Sequence, residues 1–336
     1  MPGVFKLQRK PMSDSTSPIQ KIEARLHAIT YEALGIHSFE LRHPDGAALP
    51  AFTAGSHIDL YLGNGMVRSY SLVNRQGETH RYVVGIQRDP SSRGGSRYVH
   101  DNVKVGDKIT ISSPRNNFPL AEAAPHSAFF AGGIGVTPMF CMVQRMAQIK
   151  ASWQLFYSSR TPQHAAYREG IEALDKPGGG QVVFNYDQVP GGKMLDLKAI
   201  IGAMAPTTHL YCCGPLPMLS AFEEACKGRP EGTVHVEYFS AREEAAKGGG
   251  FNVVMARSGK TVFVPEGKTI LDALLDAGED APYSCMEGVC GSCETKVISG
   301  TPDHRDMILT ESERKAGKTM MICCSGSKSS ELVLDL

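Results

Sequence analysis

Four of the nine cysteines have a spacing that suits an iron–sulfur cluster. Cys285, Cys290 and Cys293 follow a C-x4-C-x2-C pattern, and a fourth thiol comes after 29 residues (Cys323) or 30 residues (Cys324). This is the plant-type pattern for a [2Fe–2S] cluster, in which each iron takes two thiolates from the protein. Adjacent residues of an extended segment point to opposite faces, so only one of the last two thiols is expected to be a ligand.

Zinc is the competing metal at these cysteines. Zinc sites usually combine two C-x2-C pairs, whereas this sequence has one such pair, Cys290 and Cys293. Gly288 and Gly291 give the loop the backbone freedom to wrap a cluster, and its amides are able to donate to sulfur. The pattern therefore favours [2Fe–2S] over zinc.

Two strand ends in the middle of the chain have the composition of a phosphate-binding site. The sequence AGGIGVTP, residues 131–138, follows an apolar strand and precedes a predicted helix, and backbone amides at a helix N-terminus attract phosphate. A second strand ends in Cys213–Gly214–Pro215 before another helix. Ligands of parallel sheets bind at the carboxyl ends of the strands, so the pair of turns predicts a nucleotide site.

Several of these residues have a simpler alternative interpretation. Any tight strand–helix connection resembles the glycine turn, and Cys212, inside its strand, is expected to be a buried core thiol. Cys213, at the end of the strand, is expected to lie close to a bound ring.

Two motifs nearer the N-terminus are suited to a planar, phosphorylated ligand. Arg68–Ser69–Tyr70–Ser71 places an Arg, a ring and two hydroxyls along one strand, and Arg93–Gly94–Gly95–Ser96 precedes a predicted helix. Amides of the second motif, assisted by Arg, are able to hold a phosphate. An amphipathic strand and an ordinary turn are the alternatives.

The elements that position these motifs form three blocks. Residues 22–120 have short strands with Gly and Pro turns, which favours an antiparallel β-barrel with one helix over 96–103; the strands expected are 36–42, 57–62, 82–88 and 108–112. Residues 121–239 alternate strands with helices, which predicts an α/β domain with a parallel sheet. Residues 251–336 contain the cysteine loop and mixed elements, typical of an α+β domain.

Two segments lie outside the blocks. Residues 1–21 are interpreted as a flexible leader, with Met12 as an alternative start. Residues 240–250, SAREEAAKGGG, are interpreted as a linker, and a surface helix with a glycine cap is the alternative.

Composition excludes several classes of protein. The 336 residues contain 35 Lys+Arg and 35 Asp+Glu, which gives no electrostatic footprint for nucleic-acid binding. No apolar run is long enough to span a membrane, and the N-terminus lacks the apolar core of a secretory signal. A cytoplasmic protein is therefore expected, in which clustered cysteines indicate a metal rather than disulfides.

The three blocks suggest an electron-transfer chain. A nicotinamide gives up two electrons as a hydride, whereas a [2Fe–2S] cluster accepts one electron at a time. Flavins carry out both kinds of chemistry, so the barrel is the expected flavin domain. No general acid or base is required, and no catalytic triad is recognised.

The motifs RSYS, RGGS, GGIGVTP, CCGP and C-x4-C-x2-C-x29-C occur in this order. With them the chain, over residues 22–336, resembles the reductases of phthalate dioxygenase and vanillate O-demethylase. The resemblance implies FMN, NADH, a C-terminal plant-type ferredoxin domain with a β-grasp-like fold, and transient electron transfer to a Rieske-type aromatic-ring oxygenase. The acceptor is expected at the loop Met286–Val289, because a loop that transfers electrons must lie near the surface.

The resemblance also implies the roles of individual residues. The residues expected to bind the flavin are Arg68, Ser69, Tyr70, Ser71, Gly94, Gly95, Ser96 and Phe239. Those expected to bind NADH are Gly133, Gly135, Thr137, Pro138, Arg160, Cys213, Gly214 and Pro215. Those expected to bind iron are Cys285, Cys290, Cys293 and Cys323, and Cys324 is then a packed neighbour.

Two questions stay open at this point. Arg160 lies where it would accommodate a 2′-phosphate, so the choice between NADH and NADPH is undecided. A different monooxygenase or a free acceptor, and a nucleotide-binding redox sensor, are the alternative functions.

Overall fold

The computed structural model describes residues 19–90, 93–175 and 180–336, so most of the predicted leader 1–21, with Met12, lies outside the described residues. These residues form two compact units, one ending at Glu237 and one running from Tyr238 to Leu336. The predicted flavin and nucleotide blocks both lie in the first unit.

The first sheet is a six-stranded antiparallel barrel. Its strands are β1 (Lys21–Ala33), β2 (Ile36–Arg42), β3 (His57–Tyr61), β4 (Val67–Ser71), β5 (Tyr82–Gln87) and β6 (Lys108–Ser112). Their order is β4-β3-β6-β1-β2-β5. The two edge strands meet where Leu72 bridges Val84 and the Val73 amide donates to the Val83 carbonyl at 2.9 Å, which closes the sheet. Helix α1 (Gly95–Asn102) follows β5.

The second sheet of this unit is parallel. Its strands are β7 (Ser127–Gly132), β8 (Trp153–Ser159), β9 (Gly180–Tyr186), β10 (His209–Cys213) and β11 (Val234–Glu237), in the order β11-β10-β7-β8-β9. Its helices are α2 (Val136–Gln148), α3 (Arg168–Glu172), α4 (Leu197–Gly202) and α5 (Leu216–Ala225). Every residue of β7 is buried, as expected of a central parallel strand.

The chain leaves β7 toward β8 on one side and returns to β10 on the other. In open α/β sheets, ligands bind outside the carboxyl ends of the strands at such a reversal, which here lies at β7 and β10. The topology thus places the two predicted turns at the point where such sheets bind ligands.

The C-terminal unit has a mixed five-stranded sheet in the order β13-β12-β18-β14-β16 and a two-stranded sheet, β15-β17. The strands are β12 (Phe251–Met255), β13 (Thr261–Val264), β14 (Glu294–Ser299), β15 (Pro302–Asp303), β16 (Thr319–Met321), β17 (Gly326–Ser327) and β18 (Glu331–Leu334). Helices α6 (Ile270–Asp276) and α7 (Glu311–Ala316) begin at capping boxes built by Thr269 with Asp272 and Thr310 with Glu313.

Residues 240–250 contain no helix, so the surface-helix alternative is not observed. The segment is bound to the C-terminal unit instead. The Ala246 amide donates to the Cys324 carbonyl at 2.7 Å, and the Gly267 amide donates to the Lys247 carbonyl at 2.8 Å.

None of the helices in the described ranges combines the length and the apolar character needed to cross a bilayer.

Candidate cofactor-binding sites

The four cysteines predicted to bind iron are buried together in the C-terminal unit. The Cys285 thiol contacts those of Cys290 and Cys323, and the Cys293 thiol also contacts that of Cys323. Within the described ranges, no group of three or more His, Cys, Asp or Glu side chains is arranged to hold a single ion. The contacts join the four thiols in a continuous series, Cys290–Cys285–Cys323–Cys293.

The chemistry of these thiols fits a metal cluster. The Cys285 thiol and burial raise the pKa of Cys290 well above its usual value, and the Cys323 thiol and burial do the same for Cys293. Four crowded thiolates therefore need a compensating positive charge, which metal ions supply.

Cys324 occupies a different place. Its thiol lies against Gly288, where a side chain would collide with the Cys324 sulfur, and it approaches the Met321 carbonyl at 3.8 Å. Cys323, by contrast, is the thiol in contact with Cys285 and Cys293. This arrangement agrees with the choice of Cys323 as ligand.

The cysteine loop bends through residues in the left-handed region. The φ angles are +58° at Met286, +70° at Gly288 and +75° at Gly291. The bend turns the amides of Glu287 and Val289 toward Cys285 Sγ, at 3.3 and 3.5 Å. The loop amides thus donate to a cysteine sulfur, and donation to the sulfides of a cluster stays a prediction.

The structure brings the two predicted nucleotide turns into contact. Cys213 is in register with Ala131 of β7. A Cβ atom at Gly135 would collide with the Cys213 carbonyl and lie 2.8 Å from the Gly214 nitrogen, and one at Gly132 would lie 2.7 Å from Pro215 Cδ. Glycines therefore allow the two strand ends to pack backbone to backbone.

The other predicted NADH residues lie around these turns. Gly133 has a φ of +53° and open space around its Cα. Thr137 is buried and donates to the Ile134 carbonyl at 3.0 Å, so its hydroxyl holds the turn. Pro138 is buried in the first turn of α2, which begins at Val136 and so overlaps the predicted turn 131–138. Arg160 is exposed just beyond the end of β8.

Arg68 of β4 meets the N-terminus of α1. Its guanidinium donates to the Val67 carbonyl at 2.8 Å and contacts Met66. A Cβ at Gly95 would lie 2.7 Å from Arg68 Cγ and Nε. A cation thus lies beside a helix N-terminus that has no side-chain cap, which is a favourable place for a phosphate.

Two predicted flavin residues lie at this helix N-terminus. Gly94, the N-cap, has a φ of +91°, and Ser96 Oγ accepts from the Asp89 amide at 3.3 Å. Glycine is required at position 94 because other residues are strained at this φ.

Ser69 and Tyr70 have different surroundings. Ser69 donates to the buried Asp59 carboxylate at 2.7 Å, and Arg115 pairs with the same carboxylate at 2.7 Å. Ser69 therefore anchors β4 to β3. Tyr70 is half-buried, and burial raises its pKa to about 12, so its hydroxyl stays neutral.

Sequence reasoning missed Glu237, the last residue of β11. It pairs in register with Cys213, and its carboxyl group is hydrogen-bonded to the Ser71 side chain. Burial raises its pKa to about 8. An acidic residue at the end of an otherwise apolar strand, VHVE, was the available signal. Ser71, Glu237 and Cys213 link the predicted flavin strand to the predicted nicotinamide turn within one unit.

Phe239 belongs to the C-terminal unit and is 39% exposed. It lies just after the division between the units, so its predicted role beside the flavin stays a prediction.

Two family models match the chain. An oxidoreductase NAD-binding domain covers residues 129–224, and a 2Fe-2S iron-sulfur cluster binding domain covers residues 253–327. The first match contains both glycine turns, and the second contains all four thiols.

Similar proteins cover nearly the whole chain. A phenoxybenzoate dioxygenase subunit beta from Ectopseudomonas oleovorans is 50% identical over 316 residues, 94% of this chain and 97% of that protein. A tetrachlorobenzoquinone reductase from Sphingobium chlorophenolicum is 45% identical over 323 residues, 96% of this chain and 100% of that protein.

A solved structure is also similar. It is that of phthalate dioxygenase reductase, described as a modular structure for electron transfer from pyridine nucleotides to [2Fe–2S]. It aligns with a TM-score of 0.72 and 37% identity, over 94% of this chain and 98% of that one.

An NAD-binding domain and a 2Fe–2S domain on one chain define a pyridine-nucleotide-linked iron–sulfur oxidoreductase. Within that class, the chain belongs to the family of phthalate dioxygenase reductase and vanillate O-demethylase reductase. The resemblance seen in the sequence, the multidomain fold class and the enzyme class are thereby confirmed.

Proposed function

We propose that this protein is an NADH-dependent reductase that uses FMN and a [2Fe–2S] cluster to supply single electrons to a Rieske-type aromatic-ring oxygenase in the cytoplasm. The observation that carries the proposal is the contact between Ser71 of the flavin strand, Glu237 and Cys213 of the nucleotide turn. This contact supports the proposal, because it joins the strand expected to bind the flavin to the turn expected to bind NADH within one unit.

Bound FMN would supply the chemistry that couples a two-electron hydride donor to a one-electron cluster. The protein binds and orients the cofactors. For FMN, Arg68 and the amides at Gly95 and Ser96 supply positive charge and donors to a terminal phosphate.

For NADH, the edge of the sheet at the carboxyl ends of β7 and β10 is the proposed binding site. Gly133 leaves the backbone open to the pyrophosphate, and Gly135 lets the two turns pack together. Cys213, Gly214 and Pro215 are proposed to border the nicotinamide. Arg160 is exposed beyond β8, where it would face the adenosine end.

For the cluster, Cys285, Cys290, Cys293 and Cys323 are the proposed ligands. Their pairwise contacts and the amides directed at Cys285 Sγ support this assignment.

The oxygenase partner is proposed from the similarity to a dioxygenase subunit and from the position of the cysteine loop. Met286 in that loop is 36% exposed. Contacts between electron carriers are small and transient. A charge reversal, Glu287→Lys, is expected to change the rate of transfer to the oxygenase and its dependence on salt.

Coupled oxidation of NADH tests this proposal. The protein is mixed with a purified Rieske-type aromatic-ring oxygenase and its substrate, and product formed per NADH consumed is measured. Strong coupling is expected. NADH oxidation that yields no product with any such oxygenase, while a non-Rieske monooxygenase couples well, would overturn the choice of partner.

A second candidate function is direct reduction of a quinone, since a tetrachlorobenzoquinone reductase is 45% identical over 96% of this chain. In that case halogenated quinones would be reduced rapidly by NADH and this protein without an oxygenase.

A further inference from the structure

Residues 304–309 contact the loop that carries three of the proposed cluster ligands. The Met307 amide donates to the Gly288 carbonyl at 2.9 Å. A Cβ at Gly288 would lie 2.9 Å from Asp306 Cα and would collide with the Cys324 sulfur. Gly288 is therefore enclosed between residues 306–307 and Cys324, with no room for a side chain.

The side chain of Asp306 shapes the turn that reaches Gly288. Asp306 is 1% exposed, and its Oδ2 accepts from the amides of Ile308 at 3.0 Å and Leu309 at 2.7 Å. Arg314 of α7 donates to the Asp306 carbonyl and lies 3.8 Å from the carboxylate. These bonds fix the backbone on both sides of the Met307 amide.

The peptide groups next to Gly288 are the donors to the cluster ligand. The amides of Glu287 and Val289 donate to Cys285 Sγ at 3.3 and 3.5 Å. Hydrogen bonds to the sulfurs are among the factors that set the reduction potential of an iron–sulfur cluster, because they stabilise the more negative, reduced state.

We propose that Asp306 is a positioning residue for the cluster. It holds the turn that fixes Gly288, and Gly288 in turn keeps the two amides directed at Cys285 Sγ, which raises the reduction potential. This inference rests on the proposed ligation of the cluster by Cys285 and adds a residue that neither the cysteine spacing nor the family motifs mark as functional.

A pair of substitutions separates position from charge. Asp306→Asn and Asp306→Ala remove the same negative charge, but only the Asn variant keeps an oxygen that accepts from Ile308 and Leu309. The reduction potential of each full-length variant is measured by spectroelectrochemistry. The EPR spectrum of the reduced cluster and the iron content are recorded alongside. We expect a lower potential and an altered EPR spectrum in Asp306→Ala than in Asp306→Asn.

A third variant changes the contact between Gly288 and Asp306 without any change of charge. In Gly288→Ala the new Cβ displaces Asp306 or the loop, so the amide donors move and the potential is expected to fall. Asp303→Asn is the matched control. Asp303 lies in the same segment but pairs with Arg305 at 2.9 Å and Lys328 at 3.9 Å. We expect it to keep the wild-type EPR spectrum.

Each outcome decides the proposal. Equal potentials and EPR spectra in the two Asp306 variants, or a wild-type potential in Gly288→Ala, would overturn it. If Asp306→Ala loses iron while Asp306→Asn keeps it, the turn is needed to hold the loop, which supports the proposal. Loss of iron in both Asp306 variants would overturn it. The Asn variant keeps the oxygen that accepts from Ile308 and Leu309, so the proposal requires that this variant retain the cluster. A wild-type protein without iron would instead refute the proposed function.

Discussion

At the scale of single residues, the choice between two adjacent thiols defines the metal site. The structure brings Cys323 to Cys285 and Cys293, and packs Cys324 against Gly288. The cysteine spacing alone did not decide between Cys323 and Cys324 as the fourth ligand, because the plant-type pattern accommodates a difference of one residue. Only the family resemblance favoured Cys323, and no motif indicated the contact of Cys324 with the loop.

Serine substitutions distinguish the two thiols. Cys323→Ser is expected to lose most of the iron and inorganic sulfide, since one ligand of the cluster is removed. Cys324→Ser is expected to retain both, with some loss of stability from a buried hydroxyl, on the order of 1–3 kcal/mol. Iron and sulfide analysis of the purified variants provides the measurement. The reverse result would assign Cys324 as the ligand.

Glu237 makes the stability of the first unit depend on pH. Burial raises its pKa from 4.5 to about 8, so between these values the folded protein binds a proton that the unfolded chain releases. The contribution of protonated Glu237 to the free energy of unfolding is fully present below about pH 4.5. This contribution is lost as the pH rises through about 8.

Glu237→Gln removes this dependence, because the amide resembles the protonated acid. We expect the variant to match the wild type in melting temperature near pH 5.5 and to exceed it near pH 8.5. Thermal melts across this range provide the measurement. A melting-temperature difference that stays constant with pH would show that Glu237 titrates normally.

At the scale of elements, periodicity predicted the strands that alternate clearly. The bounds predicted for β2 and β6 agree with the structure. Strand β1, Lys21–Ala33, was missed because it contains two register shifts against β2 and most of its side chains are exposed. Apolar residues alternate from Ile22 to Ala28 and again, in the opposite phase, from Ile29 to Ala33, so the change of phase hides the strand from a period-two pattern.

The short elements of the C-terminal unit were also missed. Strands β15 and β17 have two residues each, and α7 has no buried residue. Elements that depend on tertiary contacts rather than on their own pattern leave little signal in a single sequence.

The contact between the ends of β7 and β10 supplies a prediction at this scale. Gly135→Ala forces a Cβ against the backbone at Cys213 and Gly214, and overpacking of this kind costs about 1–3 kcal/mol. The KM for NADH is expected to rise severalfold while the iron content stays unchanged. Gly202→Ala is the control, since that glycine lies at the exposed end of α4 with nothing within 4 Å. Equal KM values in the two variants would contradict the proposed binding site.

At the scale of the whole molecule, the order of the motifs indicated the class of protein more specifically than any single motif did. RSYS, the glycine turn and the CCGP turn are each compatible with ordinary elements. The structure unites them because the barrel and the parallel sheet form one unit, in which Ser71 and Cys213 both adjoin Glu237. The Ser71–Glu237 contact joins distant parts of the chain, so no local pattern predicted it.

The measurement that tests the central claim most directly is an anaerobic absorbance titration of the full-length protein with NADH, repeated with NADPH. We expect bleaching of overlapping flavin and iron–sulfur bands, complete at about one and a half NADH per protein, because the flavin takes two electrons and the cluster takes one. NADPH is expected to be less effective. Iron–sulfur bands that respond to neither nucleotide, or a purified protein that contains iron but no flavin, would contradict electron transfer from NADH through a flavin to the cluster.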